Sequence, residues 1–381
     1  MRTLTSHPEH SEGSHAPNAV SVRSFLRPDD RGWWAWDHRP GWLPPAPLPA
    51  WHACKPEVRE TVLTVASILP PESALYRTLQ QAALVRRCVF FAGLPGVGKS
   101  LLLQQLALLA VEHGRRVSLL QWDVARGPFE TPELLARYPE TDGVTHPVIR
   151  KAAGIWARGA VAAWHAQYPD PQAILIGEVP LIGNRLIELV QRQPDAAEAL
   201  LAGEDTLYLI PVPSREVRQV IEAARAREMA APAHERERAN AVPALVEALW
   251  QEVAAMAEVL GIGPARPGTV VNPRADEASS GAAPDAVPTV AATGGFEPDV
   301  HAAVYQALLR HRHSMLLPIT TALPVQASVY DALTAARNLV PGPDAVARSM
   351  AAVAARPETE VADQVARWFL PGPDDAVTPP A

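Results

Sequence analysis

Eight consecutive residues, Gly93-Leu94-Pro95-Gly96-Val97-Gly98-Lys99-Ser100, constrain the fold more than any other stretch. They follow an apolar run, Cys88-Val89-Phe90-Phe91-Ala92, and precede a longer apolar segment from Ser100 to His113, which Gly114 stops. The run has the length of a buried strand, and the segment has the length and the stop signal of a helix. A strand that turns into a helix through several glycines makes a tight loop. Its backbone N–H groups can face inward because no Cβ stands in the way. The first turn of the helix leaves its own N–H groups unpaired and points its positive dipole end at the same spot. A loop of this build is a cradle for an oxyanion.

Gly93, Gly98, Lys99 and Ser100 match G-x-x-x-x-G-K-[ST] in full. The pattern assigns nucleotide contacts to Gly93, Pro95, Gly96, Val97, Gly98, Lys99, Ser100 and Leu101. Lys99 places a positive charge beside β and γ phosphates, and the Ser100 hydroxyl is a ligand for Mg²⁺. The ligand read from the loop is a nucleoside triphosphate, ATP or GTP, with Mg²⁺. No N-K-x-D guanine motif and no L-S-G-G-Q stretch occur, which disfavours guanine specificity and a transporter ATPase and leaves ATP in front.

Composition narrows the class. A net charge of −7 argues against a general nucleic-acid binder. Two cysteines, Cys54 and Cys88, are too few for a disulfide framework or a cysteine-rich zinc site, and they fit a reducing cytoplasm. No apolar stretch is long enough to span a membrane, and the N-terminus lacks the apolar core of a signal peptide. The expectation is a cytoplasmic protein without membrane contact. Only three of the 34 basic residues are lysine, namely Lys55, Lys99 and Lys151, and one of these stands where the phosphate loop requires it.

Along the chain, residues 1–55 read as a Pro/Trp-rich arm, disordered at its start, with Trp33, Trp34, Trp36, Trp42 and Trp51. It packs on its own core or contacts a protein partner. Residues 56–262 alternate helix and strand. Strands are expected at Cys88 to Ala92, Arg116 to Trp122, Ala173 to Gly177 and Thr206 to Val212, and helices at Ala74 to Arg87, Ser100 to His113, Ser214 to about Met229 and Ala241 to Leu260. Strands separated by helices imply a parallel sheet covered on both faces. Residues 263–295, rich in Pro, Gly, Ala, Ser and Thr, read as a disordered linker. Residues 296–340 return as a helix and a fifth strand, and 341–381 as a helical tail.

Over about residues 88–262, the order of features resembles P-loop kinases of small molecules, such as adenylylsulfate kinase and uridine kinase-like enzymes. The resemblance implies an α/β fold of three layers, α/β/α, around a mostly parallel five-stranded sheet. In such kinases an Asp after the second strand contacts or deprotonates the acceptor hydroxyl, and Asp123 holds that place. Arg126 looks like the substrate-anchoring arginine of some of them. Glu178 ends an apolar run as a degenerate Walker B element, with Gly-Glu where the family shows Glu-Gly, and would help hold the metal. The segment after the fourth strand forms an arginine-bearing lid in these kinases. It carries Arg215, Arg218, Arg225, Arg227, Arg236 and Arg238 here, with Arg225 and Arg227 foremost.

Independently of any family, ligands of open α/β sheets bind at the carboxyl ends of strands, where Asp123 and Glu178 both stand. Each also reads as a plain helix cap or surface charge. The lid arginines read equally as one face of a solvated helix with interleaved glutamates. Arg185 is a further candidate for substrate contact, and Arg310-His311-Arg312-His313 reads as a basic surface turn. The function expected is ATP- and Mg²⁺-dependent phosphoryl transfer to a small metabolite or nucleotide. The alternatives are a regulatory ATPase switch with partner contacts through the terminal extensions, and a nucleotide-binding protein without catalysis.

Overall fold

The computed structural model describes residues 67–141, 143–230, 243–263, 295–323 and 336–370. The Trp/Pro-rich arm, almost all of the expected linker, Arg236, Arg238 and the last eleven residues lie outside this set.

Within it, α1 (Ala74–Val85) opens on Ser73, whose hydroxyl accepts from the Tyr76 N–H at 3.0 Å. The chain continues through β1 (Cys88–Ala92), α2 (Lys99–Glu112), β2 (Arg116–Leu120), the short helices α3 (Trp122–Ala125) and α4 (Pro132–Arg137), and the long helix α5 (Pro147–Gln167). Next come β3 (Ala173–Val179), the one-turn helix α6 (Glu198–Leu201), β4 (Thr206–Pro213), α7 (Arg215–Ala230) and α8 (Pro243–Val259). The described residues end with α9 (Pro298–Leu308), β5 (Ser314–Ile319), β6 (Arg337–Asn338), α10 (Pro343–Ala354) and α11 (Glu358–Ala366). No described helix is long and apolar enough to cross a membrane.

The sheet has six strands in the order β5-β4-β1-β3-β2-β6, and every neighbouring pair is parallel. It is one strand wider than the alternation of the sequence implies. The extra strand, β6, is two residues long and pairs at Ser118↔Arg337 and Leu119↔Asn338. Side chains alternate between two cores, as strand geometry demands. Cys88, Phe90, Leu175, Tyr208 and Ile210 face α5, α8, α9, α10 and α11, while Val89, Phe91, Ile174, Ile176 and Leu209 face α1 and α2. From β1 the chain crosses to β2 by α2 and returns from β2 to β3 by α5. Opposite directions of travel with one handedness put these helices on opposite faces.

β1 sits between β3 and β4. The chain leaves it toward one edge and later resumes on its other side, so the end of β1 is the switch point where open α/β sheets form a crevice. Gly177 lets β3 lie there. A Cβ at this position would stand 2.8 Å from the Leu120 carbonyl and 2.9 Å from the Phe90 ring. The glycine before Glu178 is therefore a packing requirement of the sheet.

Candidate active site

At the end of β1 the chain makes the expected loop. Leu94 and Val97 are buried in the α5-side core and pin it. Gly96 and Gly98 take φ of 80° and 87°, which a side chain would resist. α2 then starts at Lys99 with no side chain capping its first turn. A helix start with unpaired N–H groups and a dipole directed into a loop of N–H groups suits an anion. Lys99 reaches across the loop, and its ammonium donates to the Leu94 carbonyl at 2.8 Å. Burial lowers the Lys99 pKa to about 8, with Arg225, Arg218 and Arg185 adding to the effect and Glu178 opposing it. Pro95, Ser100 and Leu101 are half-buried at the loop's rim and the first turn of α2.

Glu178 ends up beside this loop because β3 runs next to β1, with Glu178 in register with Phe91. Its Oε1 accepts from the Trp122 N–H at 3.2 Å. Burial raises its pKa and the Asp123 charge adds to that, against the pull of Lys99. β2 stops at Leu120, two residues short of its expected end, because Trp122 already opens α3. Asp123 consequently sits in the first turn of α3, exposed, with Oδ1 3.5 Å from Arg126 Nε. Arg126 is shared, with Nη1 3.1 Å from Glu130 and 3.8 Å from Glu140.

α7 begins where the sequence places it, capped by Ser214, which accepts from the Val217 N–H at 3.3 Å. Two of its arginines lie against the 93–100 loop. A Cβ built on Gly96 would be 3.5 Å from Arg218 Cζ and 3.5 Å from Arg225 Nη1. Arg218 is held by Glu222 at 2.5 Å and lies 4.8 Å from the Phe296 ring centre. Its buried Nη1 has no hydrogen-bond partner among the described residues. Arg227 is exposed and donates to the Ala223 carbonyl of its own helix. Arg215 pairs with Glu297. The pair beside the loop is therefore Arg218 and Arg225, in place of Arg225 and Arg227.

The chain has no match among protein-family models, curated proteins or solved structures.

Arg185 joins the same region. Its guanidinium lies 5.8 Å from the centre of the Trp122 ring. Burial lowers its pKa, while Asp123 and Glu178 are close enough to counter that. Much of the segment between 124 and 165 serves the core. Phe129, Trp156 and Trp164 are buried, and Arg158 is clamped by Asp195 and Glu198, each at 2.5 Å. Lys151 pairs with the buried Glu188 at 2.9 Å. The expected basic turn at 310–313 is only partly at the surface. Arg312 is buried, 2.9 Å from Glu198, and donates to the carbonyls of Leu189 and Gln191.

His301, which sequence reasoning does not single out, stands under the loop. A Cβ on Gly93 would lie 3.9 Å from its Cε1, and its Nε2 is 3.2 Å from the Pro211 carbonyl. It packs between Phe296 and Tyr305, and burial pushes its pKa down to about 3. A neutral imidazole there braces the loop without competing for an anion.

No cluster of three or more metal-binding side chains occurs among the described residues. Mg²⁺ is compatible with that, since it keeps several waters and takes one or two protein ligands beside phosphate oxygens. Ser100 and Glu178 are the residues here that could supply them.

Proposed function

We propose that the chain transfers the γ-phosphoryl group of ATP to a hydroxyl of a small metabolite or nucleotide. The observation that supports this most is the grouping around Gly96. Arg218 and Arg225 lie against Gly96 and Lys99 reaches across the loop, with Glu178 within electrostatic reach of Lys99 and Asp123 within reach of Glu178. Cations alone would only bind phosphate. Carboxylates beside them add a means of handling a proton or a metal-bound water.

The loop N–H groups and Lys99 would hold the β and γ phosphates, and Ser100 and Glu178 would hold Mg²⁺. Bound there, the ion would supply positive charge against the phosphates. Asp123, at the open side, takes the proton of the acceptor hydroxyl as its oxygen bonds to the γ phosphorus. The bond from that phosphorus to the β–γ bridging oxygen breaks, and ADP leaves with the electron pair. Arg218 and Arg225 stabilise the charge spread over the transferring oxygens. Arg126 and Arg185 flank Asp123 on the acceptor side.

The test is an ADP-release screen over nucleosides, sugars and acidic metabolites, with the Lys99→Ala protein as blank. Acceptor-dependent release that Asp123→Asn abolishes, with nucleotide binding retained, is the expected result. Release that no acceptor accelerates would move the reading to an ATP-driven switch. Wild-type transfer by Asp123→Asn would remove Asp123 as the proton acceptor.

A further inference from the structure

Beyond the phosphate loop, a second charged site is built around Gly183. We propose that it binds a carboxylate or phosphate group carried by the phosphoryl acceptor. This rests on the phosphotransferase reading and narrows its substrate to small anionic metabolites with a free hydroxyl, setting aside neutral sugars and nucleosides.

Three charged side chains from separate elements converge on one residue. Arg150 of α5 donates Nη1 to the Gly183 carbonyl at 2.7 Å. Glu252 of α8 accepts the Gly183 N–H with both oxygens at 3.2 Å. The Arg185 guanidinium folds back over the same residue, its Cζ 3.6 Å from where a Cβ on Gly183 would be. The backbone here is held in an unfavourable shape. Gly183, Asn184 and Leu186 have φ of 83°, 57° and 55°, and the left-handed region is costly for a leucine. The Trp368 indole, next to α11, fixes the turn by donating to Asn184 Oδ1 at 2.7 Å. Strain kept in place by contacts from several elements gathers at binding sites.

Burial lowers the pKa of both arginines, that of Arg150 to about 10, with Glu252 opposing the shift at each and Asp123 and Glu178 also opposing it at Arg185. The Nε of Arg150 and the Nε of Arg185 are buried without a hydrogen-bond partner among the described residues. A buried donor left unpaired is unfavourable, and an oxyanion would supply the missing bonds. Arg150 is committed to the loop backbone and acts as a positioning residue. Arg185 is the binding group. Its guanidinium carbon lies 5.8 Å from the centre of the Trp122 ring, and it is within electrostatic reach of Asp123 and Glu178. A small acceptor anchored by its anionic end at Arg185 would present its hydroxyl to Asp123.

The experiment uses calorimetry on the full-length chain. ADP with Mg²⁺ is titrated first, which reports separately on the phosphate loop. Malonate and inorganic phosphate, as probes of the two anion types, are then titrated into the nucleotide-loaded protein and into nucleotide-free Lys99→Ala. Saturable binding of at least one probe at a single site in both proteins is expected. Arg185→Gln should weaken it by about tenfold or more, the worth of one charge-assisted pair, with an unchanged circular dichroism spectrum. If Arg185→Gln does not fold, Arg185→Lys, which keeps the charge and loses the planar fork, should still bind the probe more weakly than wild type. Absence of binding in both proteins overturns the proposal, as does undiminished binding by the folded Arg185 variant. Failure of ADP to bind counts against the phosphotransferase reading alone, because the Lys99→Ala titration still decides the anion site.

Discussion

Lys99→Met should make the nucleotide-free protein more stable while removing its capacity to hold a triphosphate. The Lys99 ammonium is buried, its one hydrogen bond among the described residues goes to the Leu94 carbonyl at 2.8 Å, and three arginines lie near enough to repel it. Lowering its pKa from 10.5 to about 8 corresponds to about 3 kcal/mol against the charged form, at about 1.4 kcal/mol per pH decade. Methionine has a similar length and no charge. It forfeits the Leu94 bond, which offsets roughly 1–2 kcal/mol of the gain. A net stabilisation of about 1–2 kcal/mol remains, read as a higher urea midpoint with an unchanged slope.

The pH dependence gives a second readout of the same substitution. Between about 8 and 10.5 the unfolded chain holds the lysine proton and the folded chain does not, so wild-type stability from this group rises with pH across that window. The advantage of Lys99→Met is therefore full below about pH 8 and shrinks toward pH 10.5. A loss of more than about 1 kcal/mol at neutral pH would refute the reasoning, since the buried ammonium would then be a net support of the fold.

Three further outcomes follow from the packing. Gly177→Ala should destabilise the protein by about 1–3 kcal/mol in urea unfolding, because the added methyl meets a sheet carbonyl that cannot swing aside. Arg225→Ala should lower acceptor-dependent ADP release by about a hundredfold or more while leaving ADP bound, if it acts on the transferring group. Burial works to raise the Glu198 pKa, but hydrogen bonds from Arg312 and Arg158 outweigh it and hold the carboxyl at about 2. The stability this contributes is present above about 4.5 and lost as pH falls toward 2. Glu198→Gln should accordingly flatten the acid limb of a melting-temperature profile, and an unaltered limb would count against the Arg158–Glu198–Arg312 cluster.

What could be read from residues alone is what depends on near neighbours. β1 matches its apolar run residue for residue, and α7 starts on the Ser214 cap, since burial runs and caps are local signals. Arg218 and Arg225 were open to the same logic. They are seven residues apart, two helical turns, and share a face, whereas Arg227 is two residues from Arg225 and points elsewhere. What escaped depends on distant partners. The early end of β2 goes with Trp122 turning its N–H to Glu178, 56 residues on. Arg312 is inside because Glu198 and two carbonyls, each more than 110 residues away, receive it. β6 offers two residues, too few for any period. The Gly183 site combines α5, α8 and a left-handed turn that contains a leucine, and no motif spans them.

The most direct test of the central claim is an equilibrium titration of a non-hydrolysable ATP analogue with Mg²⁺ into the wild-type and Lys99→Met proteins. A single saturable site is expected in the wild type, weaker without Mg²⁺, and none in Lys99→Met despite its intact fold. Wild-type protein that takes up no analogue, or Lys99→Met that binds it as tightly as wild type, would contradict it.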